Sequence, residues 1–200
     1  GFQLAVHSNG DREIAMLLDA FETLQREAPR PDPRHRIEHA SVMNPELLRR
    51  SRKLGVVLVF MAYLWEHGDK MAQYGETRFP WLSPDRAALR AGVALADHSD
   101  YPISTAFGLN ALHGMTTRMS EEGKVYGAEQ KIEAVDALRI SALGGAYASF
   151  EEERKGSLEV GKLADLVVLS RDPSQVPPEQ LRDLRVEMTF IGGERVYLAP

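Results

Sequence analysis

Two histidines and one aspartate stand out as residues able to do chemistry, because each closes an apolar segment. His7 closes the run from Phe2, His39 closes the short segment from Arg36, and Asp100 follows the run from Val93. Neutral imidazole suits zinc, and a carboxylate can both bind a metal and move protons. Taken singly, each has a plainer reading. A histidine after an apolar run is more often a hydrogen-bonded structural residue, and Asp100, ahead of Tyr101 and Pro102, can cap a helix. Their order strengthens the chemical reading. Each lies at the C-terminal end of a segment that reads as a buried strand, and these strands alternate with helices. In a parallel α/β barrel that is the face on which metal sites and catalytic groups are built.

The elements that must position these residues follow from periodicity and turn chemistry. Phe2 to Val6 is a short apolar strand, and residues 8–11 supply turn and N-cap chemistry. Ile14, Leu17, Leu18, Phe21 and Leu24 recur at helical spacing, and the helix must end before Pro29. Arg36 to Ala40 is the next strand. Asn44 and Pro45 open a helix that Gly55 ends, and Val56 to Met61 is a buried strand. Residues 63–81 read as a long polar, aromatic loop, of the kind that often carries function. Ser83 and Pro84 cap a helix that stops near Gly92, and Val93 to Ala96 is the following strand. Strands separated by helices predict a parallel sheet. Residues 105–150 read as mostly helical, with Ile132, Val135, Leu138 and Ala142 on one face. The tail changes character. Gly156 to Gly161 reads as a turn and short strand, residues 163–169 and 186–191 as strands, and Gly192-Gly193 as a hairpin turn into residues 195–198.

Bulk properties narrow the class. Two hundred residues, 44% of them hydrophobic, suit a domain with a sizeable core, yet fall short of the roughly 250 of a typical eight-stranded barrel. The formal charge is −5 and no lysine- or arginine-rich block occurs, so nucleic acid and anionic membrane are not expected partners. There is no cysteine, which excludes disulfides and thiolate zinc sites. No apolar run approaches the ~18 residues of a membrane span, and no signal peptide is visible, so the cytoplasm is the expected compartment.

Four segments together resemble a known family: residues 7–11, Arg36 to Ala40, Ser99 to Pro102, and the stretch from Lys155 to Leu169. They are similar to the amidohydrolase superfamily, and more narrowly to its amidohydrolase-3, or N-substituted formamide deformylase-like, group. The resemblance covers essentially all 200 residues and matches the rear part of such a protein. It implies an α/β fold: the C-terminal half of a (β/α)8 barrel over residues 1–155, followed at 156–200 by antiparallel strands of a small composite β-sandwich. It further implies that His7 and His39 are metal ligands ending strands five and six. Asp100 would end strand eight, bind metal and shuttle the proton of the attacking water. The implied cofactor is Zn²⁺, as one or two ions. The implied reaction is hydrolysis of an amide or N-formyl C–N bond in a small organic molecule. The family's His-x-His pair and its bridging lysine or glutamate would precede Gly1. The chain therefore reads as needing a complementing N-terminal segment, or as exposing an edge that favours a homo-oligomer. Two rivals stand beside this reading: a non-catalytic fragment or scaffold completed by a partner chain, and a metal-dependent isomerase or esterase on the same fold.

Other candidates carry narrower expectations. His67, in the stretch above the expected mouth, is a substrate-contacting candidate. His98 replaces the small residue usual before the Ser-Asp pair, and either crowds the site or adds a polar contact. Asp97 should face away from Asp100, and Glu38 away from His39, by strand alternation. His35 and His113 read as structural, Asp165 as a turn or register residue, and the run from Glu151 to Glu153 as a solvated helix end. Gly144 and Gly145 form no phosphate loop, since no Lys-Ser/Thr follows.

Overall fold

The computed structural model describes residues 1–61, 63–106 and 108–200 of the chain. Its first half alternates strand and helix: β1 (Ala5–Ser8), α1 (Asp11–Glu27), β2 (Arg36–His39), α2 (Pro45–Leu54), β3 (Val57–Met61), α3 (Tyr63–Met71), α4 (Asp85–Arg90) and β4 (Ala94–His98). α5 (Gly108–Thr117) and α6 (Ala134–Arg139) follow, the latter running through a π-helical turn at Ile140–Gly144 into α7 (Gly145–Ala148). β5 (Leu166–Leu169), β6 (Val186–Ile191) and β7 (Glu194–Leu198) complete the chain. Among the described residues the strands form two sheets, a parallel one ordered β1-β2-β3-β4 and an antiparallel one ordered β5-β6-β7.

Local chemistry explains the boundaries. α1 buries Ile14, Leu18 and Phe21 on one face and stops at Ala28, just ahead of Pro29. Its N-cap is Gly10 with no side-chain bond; Asn9 instead donates its backbone N–H to Glu13. α2 begins as its sequence predicts, with Asn44 accepting from the Leu47 N–H at 2.9 Å and Pro45 in the first turn. It ends at Gly55, whose φ of 63° is the left-handed conformation that glycine adopts without steric cost. β1 starts three residues later than the sequence predicts, and β4 runs on to His98.

Register divides the parallel sheet into two faces. Val6, Ile37, Leu58 and Leu95 align across it and pack with Ile14, Leu18, Phe21 and Leu48 in the main core. Full burial of each such side chain contributes roughly 1.5–3 kcal/mol. The opposite face carries Ala5, Arg36, Val57 and Ala94, then His7, Glu38, Val59 and Ala96. At its lower end Val57, Val59 and Ala96 pack under Ala148 and Tyr147. The π-helical turn runs along β4 so closely that a Cβ on Gly144 would strike the Leu95 carbonyl oxygen. Close packing, and no phosphate, accounts for that glycine.

Three expectations need correction. Residues 63–81 are not a loop: α3 is followed by 3₁₀ turns at Ala72–Tyr74 and Glu76–Trp81. The helix is held because Leu64 and Trp65 are buried and Gly68 lies against the following bend, where a Cβ would sit 2.6 Å from Ser120 Cβ. The face read at Ile132, Val135, Leu138 and Ala142 keeps Ile132 and Leu138 against the core and adds Ala137 and Ile140, while Val135 and Ala142 are exposed. Residues 156–161 form turns without a strand. The antiparallel sheet does not stand apart from the main core: Leu181 and Leu184, from the 3₁₀ turn Pro178–Asp183 and its C-cap between β5 and β6, are buried within it.

Candidate metal centre

The parallel sheet delivers its chemistry at the C-terminal ends of β1, β2 and β4. Alternation would send the His39 side chain to the helix side with Ser8 and Phe60, its register partners. Its backbone prevents this. His39 has φ 74° and Ala40 φ 45°, both in the left-handed region that non-glycine residues seldom occupy. The imidazole packs edge-on against His7, ring centroids 4.5 Å apart and planes 74° apart, and lies 4.8 Å from His98. Asp100, beyond β4, has φ 56°. Backbone strain of this kind costs on the order of 1–3 kcal/mol per residue and collects at functional sites.

Burial favours the neutral form of His39 and of His98. Burial holds His39 below the ordinary imidazole range, and neighbouring His98 and His7 push the same way; Asp100 opposes them. His98 is also pushed down by burial, against Glu38 and Asp100. Its Nε2 is buried and has no hydrogen-bond partner among the described residues. His7 Nε2 lies 3.1 Å from the Asn9 side-chain amide, and Asn9 in turn accepts from the Ser41 hydroxyl at 2.6 Å. Glu38 accepts from Arg36 Nε at 2.8 Å.

The expected ligands are thus brought together unequally. His7 and His39 touch. Asp100 acts on His39 and His98 through its charge. His98, expected to crowd the site or add a polar contact, packs its ring on that of His39. Neutral imidazoles, a carboxylate and a buried unpartnered ring nitrogen fit a divalent cation in kind. Among the described residues, however, no three His, Cys, Asp or Glu side chains are gathered tightly enough to hold a metal ion by themselves.

The remaining candidates divide cleanly. His67 lies on α3, with Nδ1 3.4 Å from Lys70 Nζ, and lines a cavity of about 650 Å³ together with Asn9 and Ser41. His35 is buried, accepts from the Leu4 N–H and packs on Phe21. His113 is buried beside Trp65, with Nδ1 donating to the Pro178 carbonyl at 3.2 Å. Asp97 turns away from the site and accepts from Ser141. Asp165 accepts from the Gly192 N–H and so fixes the hairpin turn. Glu152 is no solvated residue: it pairs with Arg34, whose guanidinium stacks over Tyr147 and Phe150.

Sequence reasoning missed a second buried polar cluster. Arg118 is fully buried and donates to Asp85 Oδ2 at 3.1 Å, and to the carbonyls of Leu82, Ser83 and Tyr126. Burial pushes the Asp85 carboxyl up to about 7 against the pull of Arg118.

Known proteins share this chain's sequence and shape. Residues 1–197 match the model described as "Amidohydrolase family". The chain is 32% identical to an N-substituted formamide deformylase of Arthrobacter pascens, over 98% of this chain and 37% of that protein. It is 27% identical to the putative amidohydrolase YtcJ of Bacillus subtilis, over 98% of this chain and 38% of that protein. An uncharacterized metal-dependent hydrolase from Pyrococcus horikoshii superposes with a TM-score of 0.75 at 29% identity, covering 89% of this chain and 36% of that one. The chain therefore spans little more than a third of the length of the relatives it matches. With strand-end histidines, a following aspartate and this agreement along nearly its whole length, the chain belongs to the amidohydrolase family.

Proposed function

We propose that this chain is the C-terminal portion of a (β/α)8 metal-dependent hydrolase that cleaves the C–N bond of amides or N-formyl groups in small organic molecules. Residues 1–155 would form the barrel portion and 156–200 strands of a composite β-sandwich. The observation that carries the reading is the convergence of His7 and His39 at strand ends, with Asp100 beside them on left-handed backbone.

In this reading His7, His39 and Asp100 hold the metal, with Zn²⁺ the best match to two imidazoles and a carboxylate. The bound ion would polarise the scissile carbonyl and acidify the attacking water. The protein's own work is positional and protonic. Burial favours the neutral form of His39, the form in which an imidazole binds a metal. His98 backs the His39 ring, and Asn9 sets the tilt of His7. The Asp100 carboxylate takes a proton from water and returns it to the departing nitrogen, whose protonation lets the amine leave. His67, on the cavity wall, contacts substrate.

A second reading is favoured by one observation, the lack of a closed three-donor group among the described residues. In that reading the chain alone binds metal weakly, and its remaining donors come from another segment or a partner chain.

The test is hydrolysis of N-benzylformamide by the complete metal-loaded protein, with and without a chelator. Asp100→Asn should lower kcat by about 10²–10⁴-fold while leaving the circular dichroism spectrum unchanged. Turnover within a few-fold of wild type would remove Asp100 from proton transfer. Ester hydrolysis exceeding formamide hydrolysis would reject the C–N assignment.

A further inference from the structure

The 650 Å³ cavity beside the candidate metal centre is lined by Ile103 and by polar side chains whose one formal charge is the Lys70 ammonium. Asn9 and Ser41 form the wall nearest His7, and His67, Lys70, Gln73 and Tyr74 form the wall supplied by α3 and the turns after it. Among the described residues no aspartate or glutamate lines it.

This is a consequence of how α3 distributes its charges. The helix carries two acids and two basic residues within five positions, Glu66, His67, Asp69 and Lys70. Both acids are committed elsewhere. Glu66 accepts from the Thr105 hydroxyl at 2.7 Å and from the Thr105 N–H and the Asn110 amide. Asp69 accepts from the Ser120 hydroxyl at 3.2 Å and the Tyr126 hydroxyl at 3.1 Å, with Lys124 at 3.7 Å. His67 and Lys70, three residues apart, share the face toward the cavity. When Lys70 donates to His67 Nδ1, a neutral ring carries its proton on Nε2, and the Lys70 ammonium keeps two further N–H donors.

We propose that this cavity binds an anionic group of the substrate, a carboxylate, held by Lys70 and His67 with the Gln73 amide and Tyr74 as neighbours. The proposal deepens the hydrolase reading and rests on it for the word substrate: the molecule cleaved at the strand ends would carry an acid beyond its amide. A carboxylate there meets a full positive charge with no acid lining the same wall, and charge-assisted hydrogen bonds are about twice as strong as neutral ones.

Binding can be measured apart from turnover. Metal-free protein, kept so by a chelator to remove any binding through a cation, is titrated with benzoate and with benzamide by NMR. Benzoate should bind at least roughly tenfold more tightly, and the difference should vanish in Lys70→Met and shrink in 0.5 M salt. Lys70 is exposed, so the substitution spares the core, which a thermal melt verifies. Equal affinity for the two probes, or a benzoate preference that survives Lys70→Met, overturns the proposal. The hydrolase reading fails separately. If the complete metal-loaded protein cleaves neither N-benzylformamide nor its para-carboxylate analogue, that reading falls, while the titration still decides whether the cavity selects anions.

Discussion

Two polar clusters, one around Arg118 and one around His39, interleave along the chain and differ in what holds them. Around Arg118 the contacts are hydrogen bonds: one carboxylate and three backbone carbonyls surround a fully buried guanidinium. Around His39 the contacts are ring against ring, and the buried Nε2 of neighbouring His98 has no hydrogen-bond partner among the described residues; left-handed backbone is common to both clusters, at Ser83 and Arg118 as at His39, Ala40 and Asp100. The first cluster surrounds its buried guanidinium with acceptors, although Asp85 Oδ1 has no hydrogen-bond partner among the described residues. The second converges imidazole rings and a carboxylate, groups that stability alone does not bring together. The contrast separates a structural knot from a place prepared for something else.

The largest expected effect lies in the knot. Arg118→Leu leaves Asp85 buried without its cation and should cost about 3–5 kcal/mol in urea unfolding. A loss below about 1 kcal/mol would show the cluster to be dispensable and erase the contrast. A smaller effect is expected at His113, a buried histidine outside both clusters. Burial holds its ring below the ordinary imidazole range, so folding favours the neutral form. As pH falls below about 6.5 the unfolded chain takes up the proton first, and stability present above that pH is progressively lost. His113→Leu should change stability at pH 7.5 by about 1 kcal/mol and reduce the decline between pH 7.5 and 5.5. Burial lowers His35, His39 and His98 too, so part of the decline remains. A decline of unchanged size would exclude His113 as a contributor. The smallest effect belongs to the His39 cluster. His39→Gly loses ring contacts but relieves a φ of 74°, and should shift stability by less than about 1 kcal/mol while weakening zinc binding in the complete protein. A destabilisation matching that of Arg118→Leu would assign His39 to the structure and not to the site.

The parts legible in the sequence were those written in local pattern. The alternation of four strands with helices, the Asn44 cap, the Gly55 stop and the Gly192-Gly193 turn each follow from neighbours a few residues away. The strand-end positions of His7 and His39 were legible for the same reason. What escaped was set by distant partners. α3 looks like a loop because it carries Gly68 and mixed charges, and only Ser120, fifty-two residues on, explains why that glycine must be there. The partners of Arg118 are mostly backbone carbonyls, which no residue type advertises. The contact between His39 and His98 depends on a positive φ that overturns alternation, the rule by which side-chain direction is read from a strand.

Leu181 and Leu184 bear on how the chain would respond to being cut. They are buried in the main core, while Glu159, Val160 and Gly161, some twenty residues earlier, lie exposed in turns. A protease that clips the backbone at those turns would separate the antiparallel sheet from the parallel one in covalent terms only. The two pieces would stay clasped through the leucines and travel as one particle on a sizing column, parting only in denaturant.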